Sequence, residues 1–192
     1  MPKRYRVCLV GCGRMGATID DEIRDRPASF LWLPFSHAAG YADVERTRLV
    51  AVSDILPEKA EAIRTRYSAE RAYTDYRKMI VEEKPDIVSI ATRPATHAEI
   101  TVFAAEHGVR GIYCEKPLCC SLDEADRMVS ACESNGVKFN YGTQRRYMGP
   151  CATSSAATAG RAPRSGDIPT RRTCSSSSRA IRRWSSFRRA CS

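Results

Sequence analysis

The stretch that most constrains this chain lies near its start. The apolar run Arg6-Val7-Cys8-Leu9-Val10 passes directly into Gly11-Cys12-Gly13-Arg14-Met15-Gly16, and a helical pattern follows from Met15 toward Ile23. A short β-branched-rich run closed by glycine predicts a buried strand. A G-x-G-x-x-G placed between a strand and a helix predicts a phosphate cradle: Gly11 makes the tight turn, Gly13 lets a pyrophosphate approach the backbone, and Gly16 allows close helix packing. The helix N-terminus then turns free N–H groups and a positive dipole end toward the phosphates. Cys12, Arg14 and Met15 belong to the same cofactor-binding turn. A glycine-rich turn without a ligand is the alternative, and the strand-to-helix context argues against it.

Strand and helix patterns alternate from there on. Leu49 to Ser53 predicts a second strand, ending at Asp54, with Pro57 placed to open a helix to about Tyr67. Ala72-Tyr73-Thr74 is a short third strand, followed by a helix from Tyr76 to Glu83. Asp86 to Ala91 is a fourth strand, and a helix from Thr96, its expected N-cap, to His107 stops at Gly108. Gly111 to Cys114, a helix from Leu122 to Ser134, and Val137 to Asn140 complete the series. This order predicts an α/β fold, a Rossmann-type doubly wound parallel sheet with helices on both faces. The segment Asp25 to Tyr41, carrying Pro27, Phe30, Trp32, Leu33, Pro34 and Phe35, is too long for a simple connection. It reads as a loop and short helix packed on the sheet edge, or as an aromatic lid over cofactor or substrate.

Three strand ends carry chemistry. Asp54 can accept hydrogen bonds from both adenosine ribose hydroxyls, and the same carboxylate repels a 2′-phosphate, which favours NAD over NADP. Its distance from the glycines exceeds the usual spacing, and the Asp25 to Tyr41 segment accounts for the excess. A helix N-terminal carboxylate is the competing role. Thr92, Arg93 and His97, after the fourth strand, are candidates for the cofactor wall, although a histidine near a helix start serves as often in capping or packing. Glu115-Lys116-Pro117 follows the fifth strand, where a lysine can donate to a substrate oxygen and, if burial lowers its pKa, share in proton transfer. Taken alone, the tripeptide reads more readily as a Glu–Lys surface pair, and its placement at a strand's carboxyl end shifts the balance. Cys8, Cys12, Cys114, Cys119, Cys120 and Cys132 contain no C-x-x-C, so no metal is expected, and His37 and His107 have no partner spacing that argues for a site. Reactivity of Cys119-Cys120 needs an exposed, electropositive setting.

Charge divides the chain. Of 192 residues with a net charge of +9, the first 150 hold 22 basic and 21 acidic side chains, and residues 151–192 hold nine Arg against one acid, Asp167. That last stretch has no Leu, Val, Lys, Glu, Asn, Gln, Tyr, Met or His and forms no apolar face at either period, which predicts a disordered basic tail. The expected organisation is therefore a domain over 1–150 and a tail over 151–192. No run of about 18 apolar residues occurs, and the four-residue apolar run before Gly11 is too short for a signal-peptide core, so no membrane partner and a cytoplasmic location are expected.

The ordered set GCGRMG, Asp54, YTDYRKMIVEEKPDIVSIATRPATHAE, YCEKPL and NYGTQRRYMGP resembles the Gfo/Idh/MocA family of NAD(P)-dependent oxidoreductases over residues 4–150. The resemblance implies hydride transfer between a nicotinamide and a hydroxyl-bearing carbon of a sugar, cyclitol or related polyol. It implies that Gly11, Gly13 and Gly16 hold the pyrophosphate, that Asp54 holds the ribose, and that Lys116, the expected catalytic residue, lies between nicotinamide and substrate. Glu115, Thr92 and His97 become cofactor neighbours, and Arg145 and Arg146 match paired arginines that approach the cofactor. Family members continue into a second α+β domain that closes the substrate pocket. Nothing after Cys151 resembles it, and the abrupt change suggests that the tail is out-of-frame translation.

The leading expectation is thus a cofactor-binding domain, competent for NAD and without a complete active site of its own. The alternative is an NAD-binding protein whose Arg/Ser tail contacts nucleic acid. Nine arginines without lysine or patterned aromatics make a charge tail rather than a recognition module. A complete small reductase with a site built by the tail is the third reading.

Overall fold

The computed structural model of the protein describes residues 3–31 and 33–143. Six strands form one sheet: β1 (Tyr5–Val10), β2 (Thr47–Ser53), β3 (Arg71–Tyr73), β4 (Ile87–Ile90), β5 (Gly111–Cys114) and β6 (Lys138–Tyr141), in the order β3-β2-β1-β4-β5-β6. All neighbours pair in parallel. Parallel pairing needs a crossover between consecutive strands, and helices supply it. These are α1 (Ile19–Ile23), α2 (His37–Asp43), α3 (Pro57–Arg66), α4 (Tyr76–Glu83), α5 (Pro94–Glu106) and α6 (Leu122–Ser134). The chain winds outward from β1 through β2 to β3, then returns to β4 and winds the other way. The order therefore reverses between β1 and β4, which is where doubly wound sheets open a crevice beyond their carboxyl ends.

Successive strand side chains point to opposite faces, and here both faces are covered. Val7 and Leu9 of β1 join Ala17, Ala38, Leu49, Val52 and Ile63 in one cluster, beneath α2 and α3. Cys8 and Val10 join Met79, Ile80, Ala98, Ile100, Met128 and Cys132 in the other, beneath α4, α5 and α6. The β2 strand breaks the alternation once: Val7 pairs with Leu49 and Cys8 with Ala51, so Val50 is an extra residue. That bulge puts Val50 and Ala51 in the same cluster.

Helix ends follow local chemistry. Asp75 accepts the Arg77 N–H at 2.8 Å to cap α4. Ser121 accepts the Glu124 N–H at 3.2 Å to cap α6, and Glu124 reaches back to the Cys120 N–H at 2.7 Å. This is a reciprocal arrangement of the capping-box kind. Two expectations need correction. The first helix begins as a π turn over Arg14–Thr18 before α1. The α5 helix starts at Pro94 with Arg93 as its N-cap, so Thr96 lies inside the first turn, where its hydroxyl donates to the Arg93 carbonyl at 3.0 Å and lies 2.8 Å from the Thr92 hydroxyl. Proline at the first helical position needs no N–H partner, which lets the helix open there.

The long segment after α1 folds as a short 3-10 turn over Ser29–Leu31 and then α2. Its helix packs on β1 and β2, the middle of the sheet, and not on an edge as the sequence suggested. Asp20 holds its return: Oδ1 accepts the Phe35 N–H at 2.7 Å and Oδ2 the Ser36 N–H at 3.1 Å. Ser36 then caps α2 by accepting the Ala39 N–H at 3.3 Å. Phe30 and Leu31 stay exposed, at 79 % and 72 %. Trp32, Arg145, Arg146 and the segment 151–192 lie outside the described residues.

Candidate functional site

The glycine turn is shaped by two close approaches and one opening. Gly11 has φ +96°, and a Cβ there would stand 2.7 Å from the Ala91 carbonyl oxygen. A Cβ on Gly16 would stand 2.0 Å from the Gly11 carbonyl oxygen, so no side chain fits at either position. A Cβ on Gly13 would meet nothing within 4 Å. The π turn that follows has Gly13 as its N-cap without a side-chain partner, which leaves the N–H groups of its first turn open to an anion. Backbone donors, an open glycine and a helix N-terminus are what a dinucleotide pyrophosphate requires, and the residues present fit that group. Cys12 is buried within the turn, and its thiol is pushed up to about 12 by burial and the nearby Asp54 charge. Arg14 is exposed and paired with Glu22 at 2.7 Å, and Met15 is half-buried.

Asp54 follows β2 and is joined to the turn directly. Its Oδ2 accepts the Cys12 N–H at 2.9 Å, and its Oδ1 accepts the Leu56 N–H at 3.0 Å. Each oxygen retains a lone pair, so the half-buried carboxylate can still accept hydroxyl groups. Asp54 and the glycines stand over the β1 and β2 half of the crevice.

The other half is built from the ends of β4 and β5. Thr92 is half-buried and Arg93 exposed. His97 is fully buried: its Nε2 faces the Thr92 carbonyl at 3.1 Å, and its Nδ1 faces the carbonyls of Pro117 and Leu118 at 3.0 and 3.2 Å. It therefore stands between the backbone of the loop after β4 and that of the loop after β5. Lys116 is exposed. Glu115 beside it is buried; its Oε2 accepts the Lys116 N–H at 2.9 Å, and its Oε1 meets His37 Nε2 at 3.2 Å. Burial works against the Glu115 charge, but the His37 contact, the Lys116 N–H and the neighbouring lysine charge hold its carboxyl below the ordinary carboxylate range.

His37 was not anticipated. It opens α2, is buried, and places Nδ1 at 2.8 Å from the Ser89 hydroxyl of β4. The three residues lie far apart in sequence, and only the sheet order brings Ser89 of β4 and Glu115 after β5 to His37, so spacing carried no signal. Among the described residues no group of His, Cys, Asp and Glu could hold a metal ion, and no helix is long and apolar enough to cross a membrane.

A family model described as "Oxidoreductase family, NAD-binding Rossmann fold" matches residues 5–143. D-apiose dehydrogenase of Paraburkholderia graminis is 31 % identical over 135 residues, which is 70 % of this chain and 31 % of that protein. Myo-inositol 2-dehydrogenase of Thermotoga maritima is 25 % identical over 142 residues, covering 74 % of this chain and 37 % of that protein. In fold, the chain superposes on scyllo-inositol dehydrogenase from Lactobacillus casei, a structure with bound NAD(H) and scyllo-inositol. The TM-score is 0.66 at 18 % identity, covering 82 % of this chain and 41 % of that one. The chain thus spans about a third of the length of the curated relatives it matches. Its glycine turn, strand order and matched span place it in the Gfo/Idh/MocA family of oxidoreductases, through their NAD-binding Rossmann domain.

Proposed function

We propose that residues 1–150 bind NAD(H) as the cofactor domain of an oxidoreductase acting on a sugar- or polyol-type hydroxyl. The observation that carries the reading is the contrast within the turn: Gly11 and Gly16 are closed against backbone while Gly13 faces open space. The pyrophosphate rests on that opening and on the N–H groups after Gly13. The adenosine ribose hydroxyls donate to Asp54, whose charge disfavours a 2′-phosphate and makes NAD the preferred cofactor. The nicotinamide half extends over β4 and β5 toward Thr92, Glu115 and Lys116. Bound there, the nicotinamide supplies a hydride acceptor or donor for the carbon bearing the hydroxyl. The Lys116 ammonium donates to the substrate oxygen and steadies charge on it. Relatives named as apiose and inositol dehydrogenases support the substrate class.

Without further contacts to orient the reacting carbon, these residues bind cofactor and turn over little substrate. Calorimetry with NAD and NADP tests the reading: NAD binds, NADP binds more weakly, and Asp54→Ala weakens NAD. No NAD binding by folded protein would overturn it.

A further inference from the structure

A buried ionisable pair in a small domain needs a reason, because desolvating a carboxylate costs several kcal/mol unless it is paired and hydrogen-bonded. Glu115 is such a group, and its surroundings are built around it. On one side Gly142 closes over it: a Cβ there would come within 3.2 Å of Oε1. On the other side stands His37, whose ring also packs against Tyr113 at a centroid distance of 4.8 Å. Beyond His37 the Ser89 hydroxyl meets Nδ1 at 2.8 Å.

The donors and acceptors run in one direction. A carboxylate only accepts, so the His37 proton sits on Nε2, facing Glu115. In the neutral ring Nδ1 then accepts from the Ser89 hydroxyl. The relay ends on Glu115 Oε1. The other oxygen of the same carboxylate holds the backbone N–H of Lys116 at 2.9 Å. Any tilt of the Glu115 side chain therefore moves the peptide that aims Lys116.

We propose that His37 is a positioning residue for the nicotinamide end of the cofactor site, acting through Glu115 on the Lys116 backbone, with Ser89 fixing its ring. The inference rests on the reading of the crevice as a dinucleotide site. It gives the long segment after α1 a role in the chemistry: the segment delivers His37, clamped at its base by Asp20, under the ends of β4 and β5.

The test compares two ligands and two variants of the full chain. ADP-ribose shares everything with NADH except the nicotinamide ring. His37→Asn keeps a polar group near Ser89 but ends short of Glu115, whereas the longer His37→Gln can still direct an amide N–H at Oε1. Affinities for NADH and ADP-ribose are measured for wild type and both variants, with thermal unfolding followed in parallel. His37→Asn should weaken NADH about tenfold, the scale of one charge-assisted hydrogen bond, and leave ADP-ribose within about twofold. His37→Gln should restore NADH binding to within about threefold of wild type. Equal losses for both ligands in His37→Asn, unchanged NADH binding in it, or the same NADH loss in both variants would overturn the positioning role. If His37→Asn does not fold, Glu115→Gln takes its place and must separate the two ligands in the same way. Failure of folded wild type to bind ADP-ribose overturns the dinucleotide reading itself, and the inference with it.

Discussion

Asp54 Oδ2 accepts the Cys12 N–H at 2.9 Å, so the carboxylate that ends β2 also holds the glycine turn that ends β1. Its second oxygen holds the Leu56 N–H. The side chain read from sequence as a ribose acceptor is thus also part of the frame on which the phosphates would rest. Asp54→Ala should lower stability by about 1–3 kcal/mol and weaken NADH by at least about tenfold, since two charge-assisted bonds and a ligand contact are lost together. Calorimetry and urea unfolding on the same variant check both. Full stability with weakened NADH would mean that the Cys12 bond contributes nothing.

The three glycines should separate. Gly13→Ala meets open space and an ordinary extended backbone, so the domain should melt within about 3 °C of wild type while NADH binding falls more than about tenfold. Gly16→Ala forces a Cβ onto the Gly11 carbonyl and should destabilise the fold by more than about 3 kcal/mol. Thermal melts with and without NADH distinguish loss of ligand from loss of fold.

Acid should unfold the domain through a small set of carboxylates. Asp20 is held below the ordinary carboxylate range because the Phe35 and Ser36 N–H groups and the Ser36 hydroxyl outweigh its burial. Asp86 is lowered by the Lys3 ammonium first, against partial burial, and by the Arg6 N–H and Arg110. Glu115 is lowered as described above. Groups depressed in the folded state bind fewer protons there than in the unfolded chain. Their stabilisation is complete above about pH 5 and fades as pH falls through the lowered folded values. Urea midpoints measured between about pH 6 and 3 should fall toward acid, and Asp20→Asn should flatten that slope.

Thiol labelling should rank the cysteines by burial. Cys120 is exposed. Cys8, Cys12 and Cys114 are buried, with thiols pushed up to about 12, chiefly by desolvation. At about pH 8, iodoacetamide should modify Cys120 well before these three in the folded domain, read by peptide mass spectrometry. Early labelling of Cys12 would show that the glycine turn opens on its own.

The strands and most helices are legible in the sequence because each buries a continuous apolar run between glycine, proline or polar ends. Leu9, Val52 and Ile90 announce their strands without help from the rest of the chain. The Val50 bulge is invisible there, since an extra residue in a run of Leu, Val and Ala changes neither composition nor period. The start of α5 was misplaced because Thr96 is a better capping residue than Arg93, yet Pro94 decides where the helix opens. The candidate cofactor turn and Asp54 are legible as a motif and a spacing. His37 is not: its partners Ser89 and Glu115 are 52 and 78 residues away, and only the reversal of strand order between β1 and β4 assembles them. His97, read from its place as a candidate wall residue, turns both nitrogens to loop carbonyls.

The clamp of Asp20 on Phe35 and Ser36 divides the long segment into two parts that tolerate change differently. Its outer turn, from Arg24 to Leu31, is largely exposed and can lengthen, shorten or change composition at little cost to the rest. Its return, from Phe35 to Tyr41, cannot be cut away without removing the His37 contacts to the Ser89 hydroxyl and to Glu115 Oε1. Any shorter connection grafted between α1 and β2 must still supply a hydrogen-bond donor in the place of His37, whatever else it omits.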